Sequence, residues 1–292
     1  MKKAFILSII SIFAFQISLH AQETSLRLGV GYGFPLTRTF VGTTTVFGFN
    51  GSYGDAIFTS YGAGFNVNAG FTKRFKSNIG LDLEFQALFG KKIDIGYHAD
   101  NVNDGVLPYN YYEDNPRSTY ANAIYITPSV VFFVPVSKFE VYGKLGVVAS
   151  ISSTTYDEQF RTKTPYDNSN PTTSTGTKSE TTGKFSLGFR SAIGIMIPMS
   201  QRISIFGEVS LTALNFIPDK KVITASTVNG SSNMSSLTVY QRETVFVKGA
   251  TINLLVPIDQ TKPSITGESR SSMSSVALQA GVSFKLSKVV TE

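Results

Sequence analysis

From residue 25 onward apolar side chains recur at every second position, and a period of two held over such lengths is strand, not helix. Leu26, Leu28, Val30, Tyr32 and Phe34 alternate with Arg27, Gly29, Gly31 and Gly33. Tyr61, Ala63, Phe65, Val67, Ala69 and Phe71 alternate with glycine and asparagine. Ile79, Leu81, Leu83, Phe85, Ala87 and Phe89 face away from Asp82, Glu84 and Gln86. Phe139, Val141, Leu145 and Val147 oppose Glu140, Tyr142 and Lys144, and Phe185, Leu187, Phe189, Ile193 and Ile195 oppose Lys184 and Arg190. Ile203, Ile205, Val209 and Leu211 oppose Glu208, and Val276, Leu278, Ala280, Val282, Phe284 and Leu286 oppose Gln279 and Lys285. Residues 122–134 form one more strand, too uniformly apolar for alternation to assign its faces.

These strands run about 10 to 17 residues between connections, above the five or six common in globular sheets and enough for a tilted strand to cross a bilayer. Connections alternate in length. Lys76-Ser77-Asn78, Val136-Ser137-Lys138 and Ser200-Gln201-Arg202 are tight, whereas 35–59, 92–120, 152–182 and 218–272 are long. Short turns on one rim and long loops on the other are the habit of a transmembrane barrel. The expected fold is therefore all-β: an eight-stranded antiparallel up-and-down barrel with short periplasmic turns and long extracellular loops. Leu254–Ile258 resembles the short-turn segments and raises a ten-strand alternative, which the interruption at Pro263 disfavours.

Met1-Lys2-Lys3, the apolar run Ala4–Leu19 and Ala21 have the layout of a secretory signal, placing residues 1–21 as signal peptide and 22–292 as the barrel domain. Without the first 21 residues the chain keeps 24 basic and 20 acidic side chains, too even and too scattered for a nucleic-acid binder. The absence of cysteine excludes disulfides and thiolate chemistry.

The signal segment, the eight alternating strands and the closing stretch Ser274–Phe284 together resemble the small outer-membrane β-barrels of the OmpA/OmpX-like superfamily. That resemblance implies an integral protein of a Gram-negative outer membrane, exported by its signal peptide and inserted by the barrel-assembly machinery. Its partner is the lipid bilayer, and an extracellular ligand is left unspecified. Neither cofactor nor metal is expected.

If the apolar face meets lipid, the other face fills the lumen with Arg27, Asp82, Glu84, Glu140, Lys144, Lys184, Arg190, Glu208 and Lys285. Five are positive and four negative, so pairing is feasible and is expected, because unpaired burial costs several kcal/mol per charge. Glu84 and Lys144 lie seven residues past their turn serines and Glu208 eight, which puts them near mid-height. A network of Glu84, Lys144, Arg190 and Glu208 would plug a cylinder just wide enough for side chains to fill. Tyr32, Phe34, Tyr61 and Phe89 at one end, with Phe71, Phe75, Phe139 and Phe284 at the other, are the expected interfacial aromatics of a chain without tryptophan.

The loop 92–120 gathers Asp94, Asp100, Asp104, Glu113 and Asp114 with several tyrosines, without the spacing of a calcium loop. The loop 152–182 is rich in serine and threonine and reads as mobile, and in the loop 218–272 a hairpin is expected from Val222–Val228 and Leu237–Val247. After cleavage His98 is the sole histidine, and no nucleophile motif accompanies it, so no enzyme is expected. The sequence points to a non-enzymatic anchor that displays surface loops for envelope integrity or contact. Its alternatives are a passive channel for ions or small solutes and an inverted, soluble, lipocalin-like binder.

Overall fold

The computed structural model describes residues 23–36, 39–48, 51–75, 78–102, 111–166, 170–250 and 257–286. The expected signal segment 1–21 lies outside them, as do Asp104, Tyr109 and most of Leu254–Ile258. Eight strands form the staves of a barrel: β1 Glu23–Pro35, β2 Gly64–Arg74, β3 Ile79–Gly90, β4 Tyr111–Val136, β5 Phe139–Pro165, β6 Ser186–Pro198, β7 Ile203–Ala213 and β8 Ser275–Lys285. Each pairs antiparallel with its neighbour in sequence. β1 and β8 then zip together from Ser25↔Lys285 to Pro35↔Ser275, so the ring closes on eight strands without an edge.

Two of the three tight connections are built as expected, and Lys76 and Ser77 of the other lie outside the described residues. Ser137 turns β4 into β5 with φ 50°, and Asn78 enters β3 with φ 58°. The Ser200 hydroxyl accepts from the amides of Arg202 and Ile203 to fix the third turn.

The opposite rim departs from expectation, because all four long connections carry extended β-structure. β4 and β5 are 26 and 27 residues long, and their pairing continues from the barrel out to Tyr111↔Pro165. Around these two strands stands an open wall. On one side Ile93–Val102 pairs with β4, Thr39–Gly48 runs parallel to Ile93–Val102, and Gly51–Thr59 forms the outer edge. On the other side come Thr173–Gly183, Pro218–Val228, Glu243–Val247 and, in parallel, Ser264–Gly267. The segment expected to be mobile, 152–182, is mostly paired strand. Of the hairpin expected from Val222–Val228 and Leu237–Val247 only the pair Val222↔Glu243 forms, continued by Lys221↔Thr244 and Lys220↔Val245, while Val239–Arg242 is a short helix.

One extra residue joins barrel to wall. Ile124 pairs with Ser152 but Tyr125 with Ser150, leaving Ile151 as a β-bulge. Below it the even residues of β5 face inward, with Tyr142, Lys144, Val148 and Ser150 buried. Above it the inner face passes to the odd ones, beginning with buried Ser153.

The polarity of the cylinder is inverted relative to a soluble protein. Leu28, Val67, Phe85, Val130, Leu145, Ile193, Val209 and Leu278, one from each stave, are between 38% and 62% exposed. Arg27, Asn66, Asp82, Glu84, Lys144, Arg190, Glu208 and Gln279 are at most 5% exposed. On β4 the outward apolar run extends from Val134 to Ile124, about 25 Å along the barrel axis at the usual rise and tilt. That matches the height of a hydrocarbon-facing band.

Candidate functional site

Six of the charged residues converge at mid-height in the lumen: Arg27, Asp82, Glu84, Lys144, Arg190 and Glu208, three of each sign. Arg27 donates through Nη2 to both oxygens of Asp82 at 2.7 Å, and Thr72 Oγ1 donates to Asp82 Oδ1 at 2.5 Å. Lys144 Nζ lies 2.6 Å from Glu208 Oε2, 3.3 Å from Glu84 Oε2 and 3.8 Å from Asp82 Oδ2. Arg190 Nη2 is 2.8 Å from Glu84 Oε1, and its Nη1 donates to Gln86. The Tyr142 hydroxyl donates to Glu208 Oε2 at 3.0 Å. Each of the six side chains is at most 5% exposed.

Register explains how partners on separate strands meet. Arg27 and Glu84 both sit opposite Gly70, and the guanidinium of Arg27 lies across the space a Cβ there would take, 3.2 Å from it. Glu208 and Tyr142 both sit opposite Gly194 and join across it in the same way. A glycine between two partners lets them reach each other two strands apart.

Apolar layers seal this ionic layer from both ends. Toward the short-turn rim Val131, Phe133, Tyr142 and Phe206 form one buried cluster, with Met196 packed against it. Toward the wall Leu88, Ala121, Ala123, Tyr125, Val148, Leu214, Phe216 and Met273 form another, covered by Tyr61. Leu214, Phe216 and Met273 belong to the last long connection, which folds back over the mouth. There Asn215–Phe216 pairs with Ser271–Ser272, and the amides of Tyr61 and Met273 donate to Ser272 O and Leu214 O. A cavity of about 20 Å³ beside Arg27 and Tyr142 has room for about one water.

Three expected members of the network lie elsewhere. Glu140 pairs with Arg74 at 2.6 Å and Lys285 with Glu23 at 3.1 Å, both at the short-turn rim, since Glu140 begins β5 and Lys285 ends β8. Lys184 precedes β6 and pairs with Glu268 at 2.8 Å, beyond the other rim. Thr72, Gln86 and Tyr142 join the cluster without having been expected, although the inward Gly194 marks where Tyr142 reaches across to Glu208.

Of the expected interfacial aromatics, Tyr32, Phe34, Phe71, Phe89, Phe139 and Phe284 point outward and are 37–52% exposed. Tyr61 does not. It lies in the turn before β2, where Gly64 has φ 146°, so the alternation begins only after it, and its hydroxyl meets Thr119 Oγ1 at 3.2 Å. Phe75 is half-buried at the end of β2. Phe40 and Phe58, in an edge-to-face pair 5.8 Å apart, are exposed aromatics that the sequence pattern did not single out.

In the wall, Glu113 is 1% exposed and accepts from Arg161 Nη2 at 2.7 Å and from Tyr97. Burial alone would raise its carboxyl, but the bonds from Arg161 and Tyr97 outweigh this and hold it below the ordinary carboxylate range. His98 Nδ1 lies 3.9 Å from Asp114. Among the described residues no group of three or more His, Asp or Glu is placed to hold a metal ion.

An eight-stave cylinder, apolar outside and ionic within, has the architecture of a transmembrane β-barrel with a filled lumen. No protein-family model and no curated protein matches the sequence. Among solved structures the chain is similar to Neisserial surface protein A (NspA), at 9% identity and a TM-score of 0.35, over 90% of this chain and 97% of that one. So slight a likeness adds nothing to what the geometry carries.

Proposed function

We propose that this protein is a non-enzymatic integral barrel of the outer membrane, of the OmpA/OmpX-like kind, that anchors and displays a β-wall at the cell surface with its lumen closed to solutes. It is exported by its N-terminal signal and inserted by the barrel-assembly machinery. The observation that carries this reading is the inverted polarity: every stave turns apolar side chains outward while Arg27, Asp82, Glu84, Lys144, Arg190 and Glu208 are enclosed. In water an apolar belt around the whole cylinder far exceeds the patches that soluble monomers expose. In lipid it is the favourable surface.

Closure to solutes follows from the layering, because an ion entering from either end must cross an apolar cluster before it reaches the six charges at mid-height. Spin labels at Leu187 and Ile193 test the orientation: lipid-dissolved oxygen should relax them and an aqueous nickel chelate should not. The reverse accessibility would refute it. Planar-bilayer recordings on the purified protein should stay silent, and steady unitary openings would favour the channel reading instead.

A further inference from the structure

On the outer face of the wall, above the apolar belt, lies a cavity of about 480 Å³ spanning Ile93–Val102, β4, β5, Thr173–Gly183 and Pro218–Val228. Its lining includes Lys92, Ser118, Glu158, Phe160 and Lys178. Ser118 and Glu158 are paired in register and stand one pleat repeat above Tyr120 and Tyr156, whose rings stack 4.9 Å apart. They therefore share the face that lower down turns Ile124 to lipid. We propose that this cavity binds the phosphorylated saccharide headgroup of a glycolipid in the surrounding leaflet; this rests on the barrel being seated in a membrane as above.

Height selects the ligand class. Phe89 pairs with Asn122 at the top of the belt, and Ser118 lies four residues further along β4, about 10 Å above it at the usual strand tilt. The polar layer of a simple bilayer is about 5–8 Å deep on each side, so a plain phosphodiester falls short of the cavity. A headgroup of phosphorylated sugars reaches it.

The lining supplies the matching chemistry. Lys92 and Lys178 grip Glu158 from either side, at 3.2 and 3.0 Å, and their side chains are 55% and 63% exposed. Each ammonium has three donors and gives one to Glu158, leaving the others for phosphate oxygens. Phe160, half exposed, offers a flat apolar surface to the C–H face of a sugar ring. Gly176 keeps the space beside it open, since a Cβ there would lie 3.6 Å from the Phe160 ring and 2.7 Å from Thr227 Oγ1.

The test uses the full-length mature protein in phosphatidylcholine nanodiscs doped with lipid A, followed by native mass spectrometry of the protein and its retained lipid. Wild type should carry lipid A in preference to phosphatidylcholine. A K92Q/K178Q variant should lose about 10- to 30-fold in retention, the loss of two lysines at a membrane surface. E158Q, which frees both lysines, should retain more; a variant that merely damaged the wall would retain less. Equal retention by all three proteins, inserted normally, overturns the site alone. So does displacement of lipid A by soluble glucosamine phosphate at equal concentration, which would make a free sugar phosphate the ligand. A protein that fails to enter the discs overturns the membrane reading and the site with it.

Discussion

Replacing Lys144 by methionine removes the ammonium that touches all three lumen carboxylates, at 2.6, 3.3 and 3.8 Å. Methionine is likewise unbranched and only one atom shorter, so the change is electrostatic more than steric. What remains is three carboxylates facing Arg27 and Arg190, one negative charge uncompensated in a layer whose members are at most 5% exposed. Breaking a buried pair by deleting one partner costs about 3–5 kcal/mol, most of it the stranded opposite charge. Glu208 is the partner most affected, because Lys144 is its nearest cation and Tyr142 its remaining close donor. Adding Glu208→Gln restores neutrality, so K144M/E208Q should recover about 1–3 kcal/mol relative to the sum of the single variants. Urea unfolding in phosphatidylcholine vesicles, followed by the mobility difference between unboiled and boiled samples, gives the four free energies of the cycle. Conductance should stay absent in K144M, since the apolar layers above and below are untouched. A loss below about 1 kcal/mol, with no coupling to Glu208, would mean that these charges are individually hydrated and that the sealed layer does not exist.

Ile193→Arg places a charge on the lipid face and should cost about 2–4 kcal/mol in the same assay. Gly29→Ala brings a Cβ within 2.6 Å of Asn68 Oδ1 and 2.9 Å of Phe206 Cζ, so overpacking should destabilise the barrel by about 1–3 kcal/mol. Gly267→Ala, with no atom near its Cβ, should stay within about 0.5 kcal/mol in the same unfolding measurement. The wall should loosen in acid. Glu113 titrates below its ordinary range, so it contributes stability above the unfolded carboxylate pKa near 4.3, and that contribution is lost as pH falls through the folded value. Protection of the amides of residues 111–115 against hydrogen exchange, relative to their intrinsic rates, should fall between about pH 5 and pH 3, and Glu113→Gln should remove most of that pH dependence.

The staves were readable because one face of each is apolar and the other lines the lumen, so a one-residue slip would turn every charge outward. Strand count, closure and the inward parity of Arg27, Glu84 and Glu208 all follow from that constraint. The wall was not readable for the complementary reason. In Ser152–Pro165 and Thr173–Gly183 neither face belongs to the apolar belt, so Thr, Ser and charged residues occupy both and alternation vanishes although the backbone is paired. Glu140, Lys184 and Lys285 carry the right parity but sit at strand ends, and parity holds no information about height. The reach of Tyr142 to Glu208 needed the third dimension, though Gly194 stood in the sequence as its trace.

The bulge at Ile151 divides the molecule into halves that obey different rules. Below it, the apolar belt fixes which way each residue of β5 points; above it, the inner face passes from even to odd residues through a single supernumerary position. Deleting that residue would join inward Ser150 directly to outward Ser152 in regular alternation, keeping every pair above and below, so Glu158 and Phe160 would stay on the outer face. The seam between cylinder and wall can thus lose one codon without re-facing a residue on either side of it.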